Sequence, residues 1–170
     1  GVPSGSLRGT VLQCARGGSK GRICPCYYKA MISVTIIHVG ELKEDWLRQA
    51  AAEYSKRLGA YCSLSFKAIK EARLPDNPSG AQIKAALEDE GQRITQSLPS
   101  RAFLVALCIE GKEMSSEELS SLVSSLPLKG YSGLALVIGG SHGLSEEVKA
   151  ACQLRLSFSP MTFPHQFMPM

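Results

Sequence analysis

No stretch of this 170-residue chain approaches the ~18 consecutive apolar residues of a membrane span, and no membrane partner is expected. Near its start there is no apolar run of the ~7–15 residues that a secretory signal requires. There is no CxxC pair. Cys24 and Cys26 form CxC instead, which is the spacing neither of zinc ligands nor of a redox pair. GxGxxG and GK followed by Ser or Thr are both missing, which removes the dinucleotide fingerprint and the P-loop. No His, Cys, Asp or Glu cluster has metal-ligand spacing, so no metal is expected. Residues 1–30 contain no acid at all but hold Arg8, Arg16, Lys20, Arg22 and Lys29, five of the 19 basic residues. That leaves 14 basic residues against 15 acidic ones over residues 31–170, a balance of −1. The net +4 of the chain therefore belongs to its start, and any grip on nucleic acid must come from a local patch rather than a global field.

What is there fits one soluble α/β domain. A hydrophobic content of 44% and a charged content of 20% are ordinary for a globular protein large enough to bury a core. Residues 1–30 lack any sustained period and are expected to be a disordered or non-native basic extension, with an organelle transit peptide as the alternative. From Met31 the pattern alternates. Ile32–Val39 is β-branched and strand-like. Residues 44–58 carry Leu47, Ala50, Ala51, Tyr54 and Leu58 at helical spacing. Residues 61–69 alternate as a strand, 74–80 form a loop by composition, and 81–98 repeat as a helix. Ala102–Ile109 is a continuous apolar run. Ser115 and Glu118 make a capping box ahead of Leu119, Leu122 and Leu126. Gly133–Ile138 is a second buried run, Ser145 caps a short helix through Cys152, and residues 154–158 form a last strand. The order βαβαβαβαβ predicts a mostly parallel five-stranded sheet with helices on both faces. Cys62 and Cys108 fall in strands and Cys152 at a helix end, as expected of free thiols in a reducing cytosol.

Three segments at the ends of the later strands carry the functional signal. Glu110-Gly111-Lys112 follows the central strand and reads either as a turn with two solvated charges or as part of a ligand loop. Ile138-Gly139-Gly140-Ser141-His142-Gly143 is a strand-to-helix turn in which glycines permit close backbone approach; a tight turn and a ligand loop remain open for it. His142 is a candidate for contact with ligand or RNA, whereas His38 reads as a strand end and Trp46 as a packing residue. Ser157-Phe158-Ser159-Pro160-Met161-Thr162-Phe163-Pro164-His165 is stiffened by two prolines and is unusually apolar for a linker. Such a loop suits an adenine-like ring, whose edge backbone groups would read while apolar side chains cover its faces. Loops at the carboxyl ends of parallel strands are where open α/β sheets bind ligands.

The segments LCIEGK, VIGGSHGLS and LSFSPMTFPHQ, in this order, together with the opening MISVTIIHVGELKEDWLRQAAAEYSKRL, resemble the RlmH family of the SPOUT superfamily over residues 31–166. The resemblance implies an S-adenosylmethionine-dependent methyltransferase acting on N3 of a pseudouridine in 23S ribosomal RNA, in the helix 69 loop of the assembled ribosome. It implies a cytoplasmic homodimer with a trefoil knot. It implies cofactor contacts at Leu107, Gly139, Phe158, Ser159, Pro160, Met161, Thr162 and Phe163. It fixes no catalytic base; His165 is the candidate that the last motif offers, with a structural role in the loop as the alternative. The family continues after its PHQ-like residues with an amphipathic helix and a tail rich in Tyr and His, where this sequence has Phe167-Met168-Pro169-Met170. Residues 31–170 are therefore expected to form a methyltransferase domain without its last helix. The alternative function is a truncated, inactive methyltransferase-like module with weak or no cofactor binding.

Overall fold

A computed structural model describes residues 32–169. The extension expected over residues 1–30, with Cys14, Cys24 and Cys26, lies outside them. The elements run β1 (Ile32–Val39), α1 (Asp45–Leu58), β2 (Cys62–Ile69), α2 (Gly80–Ser97), β3 (Ala102–Glu113), α3 (Ser116–Ser125), β4 (Gly133–Ile138), α4 (Glu146–Ala151) and β5 (Leu154–Ser157). Short 3-10 turns at Pro127–Lys129 and His165–Phe167 complete the order. Each expected strand and helix is present, with ends displaced by a residue or so except in β3.

The sheet order is β2-β1-β4-β3-β5, and every pairing in it is parallel. Right-handed crossovers in such an order put α1 and α3 on one face and α2 and α4 on the other. The buried clusters follow this division. Ile94 of α2 and Val148 of α4 pack with Ile37, Val39, Ala106 and Val137. Leu119, Leu122 and Leu126 pack against Phe103, Val105, Leu134 and Leu136 on the opposite face. The two runs read as continuous apolar segments are the central strands β3 and β4, buried from both sides as a parallel sheet requires. Ser79 with Gln82 and Ser115 with Glu118 form complete capping boxes. Each sets the start of its helix by satisfying first-turn N–H groups.

One element departs from expectation. Glu110-Gly111-Lys112 is no turn: β3 continues to Glu113. Its pairing with β5 slips, so that Leu156 stands opposite both Leu107 and Lys112 and residues 108–111 bulge between them. A Cβ built on Gly111 would sit 2.5 Å from the backbone carbon of Leu156 and 2.8 Å from that of Arg155. Only glycine lets the two strands close up at this point. After β5 the chain turns back over the carboxyl edge of the sheet. The Phe167 ring rests on Trp46 of α1 with centroids 5.4 Å apart, and Met168 packs into the cluster beneath α3.

Candidate functional site

The carboxyl ends of β3, β4 and β5 surround a cavity of about 410 Å³, within the size range of small-molecule sites. Its walls are three consecutive stretches: Leu107–Glu110 from the bulge of β3, Ile138–Leu144 from the end of β4, and Leu156–Ser159 with Met161–Phe163 after β5. Lys149 of α4 and Met168 close the remaining sides. The three segments that stand apart in the sequence thus meet in one place because parallel strands all point their carboxyl ends the same way.

The glycine turn is tightly folded. Gly140 and Gly143 form an isolated bridge, and the Gly143 N–H donates to the Gly140 carbonyl at 3.0 Å. Gly143 has φ of 82°, a left-handed conformation natural to glycine. A Cβ on Gly139 would lie 2.9 Å from the Gly143 Cα and closer still to its carbonyl. Ser145 then caps α4 by accepting from the Val148 N–H at 3.3 Å. The last loop is shaped by its own hydroxyls: Ser157 Oγ donates to the Ser159 carbonyl at 3.0 Å, and the Met161 N–H donates to Ser159 Oγ at 3.1 Å.

Of the residues singled out by motif, Leu107, Gly139, Phe158, Ser159, Met161, Thr162 and Phe163 line the cavity, as does His142. Pro160 belongs to the same loop without lining it. His165 stands elsewhere. It opens the last 3-10 turn, and its Nε2 lies 4.0 Å from where a Cβ on Gly40 would be, a point 3.8 Å from a Glu71 carboxylate oxygen. His38 is buried; desolvation lowers its pKa, partly offset by a backbone hydrogen bond at Gly40.

Glu110, read from the sequence as part of either a turn or a ligand loop, lines the cavity with its LCIEGK neighbours Cys108 and Ile109; Lys149 lines it without having been singled out. The Lys149 ammonium donates to the carboxylates of Glu110 and Glu146, the latter at 3.0 Å. Arg155 stands 3.9 Å from Glu146. The hydrogen bond from Lys149 holds the Glu110 carboxyl below the usual carboxylate range. Desolvation works against the Lys149 ammonium, but bonds to the two carboxylates outweigh it and its pKa is raised. Burial raises the Cys108 thiol and pushes that of Cys152 up to about 11, so both are protonated, unreactive groups at neutral pH.

Behind the glycine turn lies a smaller cavity of about 20 Å³, where Ser141 and His142 meet Glu71 and Glu90. Glu90 is 7% exposed, and its Oε1 accepts from the Ala72 N–H at 2.8 Å. Desolvation raises its pKa; the Ala72 bond opposes this and the Glu71 charge adds to it. An unfolded-chain glutamate titrates near 4.3. With the folded value higher, the contribution of Glu90 to stability is complete below the unfolded pKa and is lost as pH rises through the folded one. Thermal melts across this range should show wild type losing stability relative to Glu90→Gln as pH rises, because glutamine keeps an acceptor for Ala72 and does not titrate. Parallel profiles for the two proteins would refute this.

A family model described as "Predicted SPOUT methyltransferase" matches residues 32–170. Proteins named ribosomal RNA large subunit methyltransferase H are similar over most of the chain. That of Streptococcus mutans is 46% identical over 137 residues, which is 81% of this chain and 86% of the relative. That of Clostridium novyi is 47% identical with the same coverage. That of Pelotomaculum thermopropionicum is 45% identical over 136 residues, 80% of this chain and 85% of the relative. A parallel sheet whose last three strands open onto one glycine-walled cavity, joined to identity at this level, means that the chain belongs to the RlmH family of SPOUT methyltransferases.

Proposed function

We propose that this protein transfers a methyl group from S-adenosylmethionine to ribosomal RNA of the large subunit, at N3 of a pseudouridine in the helix 69 loop, in the cytoplasm. The single observation that carries the reading is the cavity built from the three motif segments in a chain of this family. Its volume suits a nucleoside-sized ligand. The turn from Gly139 to Gly143, where a side chain would collide with backbone, suits a ligand that approaches the main chain closely. When bound, the cofactor supplies a methyl group activated by its sulfonium sulfur.

The chain's own residues bind and orient. Leu107, Gly139 and the loop Phe158–Phe163 are the proposed cofactor contacts, with backbone groups reading the adenine edge and Phe158, Met161 and Phe163 covering its faces. Fixing the methyl carbon in line with an incoming ring nitrogen supplies much of the rate in such a transfer. The nitrogen must also lose its proton. His142 is the histidine on the cavity wall, whereas His165, beside Gly40, is assigned to holding the last turn in place. Phe158, Met161 and Phe163 are 57%, 70% and 49% exposed, an apolar surface that supports a homodimer formed beside the site.

The test is transfer of labelled methyl to ribosomes from cells lacking this modification, followed by mapping of the labelled nucleotide. Label at a single pseudouridine of the large-subunit RNA is expected. Cofactor binding without label in any ribosomal RNA would overturn the substrate, and failure to bind S-adenosylmethionine would overturn the reading as a whole.

A further inference from the structure

Among the side chains that line the cavity, two carry full charge at neutral pH, Glu110 and Lys149. They lie 39 residues apart in sequence, on the bulge of β3 and on α4, and are bonded to each other. The Lys149 side chain is only 13% exposed. A cation this sheltered has to be paired, and two carboxylates do this. Glu146, which is also close to Arg155, keeps Lys149 paired if Glu110 turns toward another partner, and the site then carries one uncompensated positive charge. Glu110 has room to do so, being 51% exposed.

The pair has unused capacity of both signs. An ammonium has three donors, and two are engaged, by Glu110 and Glu146. An ionised carboxylate offers about four acceptor sites, and Glu110 uses one side-chain bond. The remaining walls are glycine backbone, the His142 imidazole, the Cys108 thiol, hydroxyls and apolar side chains such as Ile109, Leu156 and Phe163. One side of the cavity therefore matches an uncharged nucleoside, and the other a group with a cation and an anion close together.

We propose that Glu110 and Lys149 form the subsite for the amino-acid end of S-adenosylmethionine, Glu110 accepting from its ammonium and Lys149 donating to its carboxylate. The proposal rests on the cofactor reading above and deepens it. It makes the pair a specificity determinant: ligands with the amino-acid end gain from it, and 5′-methylthioadenosine, which lacks that end, does not.

The test is isothermal titration of the full chain and of Lys149→Met and Glu110→Gln with S-adenosylmethionine, S-adenosylhomocysteine and 5′-methylthioadenosine. Each substitution should weaken the two amino-acid-bearing ligands by about tenfold to a hundredfold and leave 5′-methylthioadenosine unchanged. Unaltered affinity for S-adenosylmethionine in both variants would overturn the proposal. Equal weakening of all three ligands would also overturn it, since the pair would then only hold the cavity's shape. Failure of the cofactor reading is distinguishable, because wild type itself would bind none of the three.

Discussion

Gly139→Ala is expected to weaken binding of S-adenosylmethionine by about a hundredfold while the domain stays folded. The reason is local. Gly139 follows the last residue of β4, and its Cα faces Gly143 across a turn closed by the Gly140–Gly143 bridge. A methyl group at Gly139 would collide with backbone, not with the end of a flexible side chain. Backbone on the other side of the turn is supported by Ser145 and α4 and by Val39, whose Cγ1 would be 3.2 Å from a Cβ on Gly140. The turn must therefore open, and the cavity wall moves with it. Overpacking of this kind costs about 1–3 kcal/mol. In a domain of this size that lowers the melting temperature by roughly 2–12 °C, which leaves the protein folded at room temperature. Titration with cofactor, beside a thermal melt of the same sample, checks both halves. Wild-type affinity would mean that the turn relaxes away from the ligand, and would remove Gly139 from the proposed contacts.

The parts of this molecule that were legible in the sequence are those set by local periodicity. Ala102–Ile109 and Gly133–Ile138 read as buried strands because a parallel sheet covered on both faces needs unbroken apolar runs. Ser115 with Glu118 read as a helix start because both bonds of a capping box are made within four residues. The glycine turn and the Pro-stiffened loop were legible as backbone-exposing segments, and the sheet's polarity brings them together. The continuation of β3 was not legible. Glu110, Gly111 and Lys112 break the apolar run, and their strand character comes only from pairing with Leu156 and Ser157 more than forty residues later. The Glu110–Lys149 bond was hidden for the same reason. Glu110 looks like a solvated charge until the bulge turns it toward α4. His165 shows the opposite relation: nearby Phe163 lines the cavity, but the 3-10 turn that His165 begins carries it toward Gly40.

That non-local pairing makes Gly111, next to Glu110 of the cavity wall, a second point where a side chain would collide with backbone. The β5 backbone passes so close that a Cβ on Gly111 would meet Leu156 C at 2.5 Å and both Arg155 C and Leu156 N at 2.8 Å. None of these atoms can swing aside alone. Leu156 is 2% exposed and held in the cluster beneath α3, and β5 is bonded along β3 from Val105 to Leu107. Gly111→Ala must therefore unpair Lys112 and Glu113 from β5 or lift β5 off the sheet. The cost should lie near the top of the overpacking range, about 3 kcal/mol, or a fall of roughly 10 °C in melting temperature. Either escape displaces Glu110 on one side and the start of the Ser157–Phe163 loop on the other, two walls of one cavity. Cofactor affinity should accordingly drop in parallel with stability. Gly130→Ala serves as the comparison: nothing lies within 4 Å of a Cβ there, but φ is 82°, so it should cost about 1 kcal/mol in backbone strain with no effect on binding. Losses of affinity in both variants, in proportion to their losses of stability, would mean that binding merely follows global stability. A loss confined to Gly111→Ala would tie the bulge of β3 directly to the ligand.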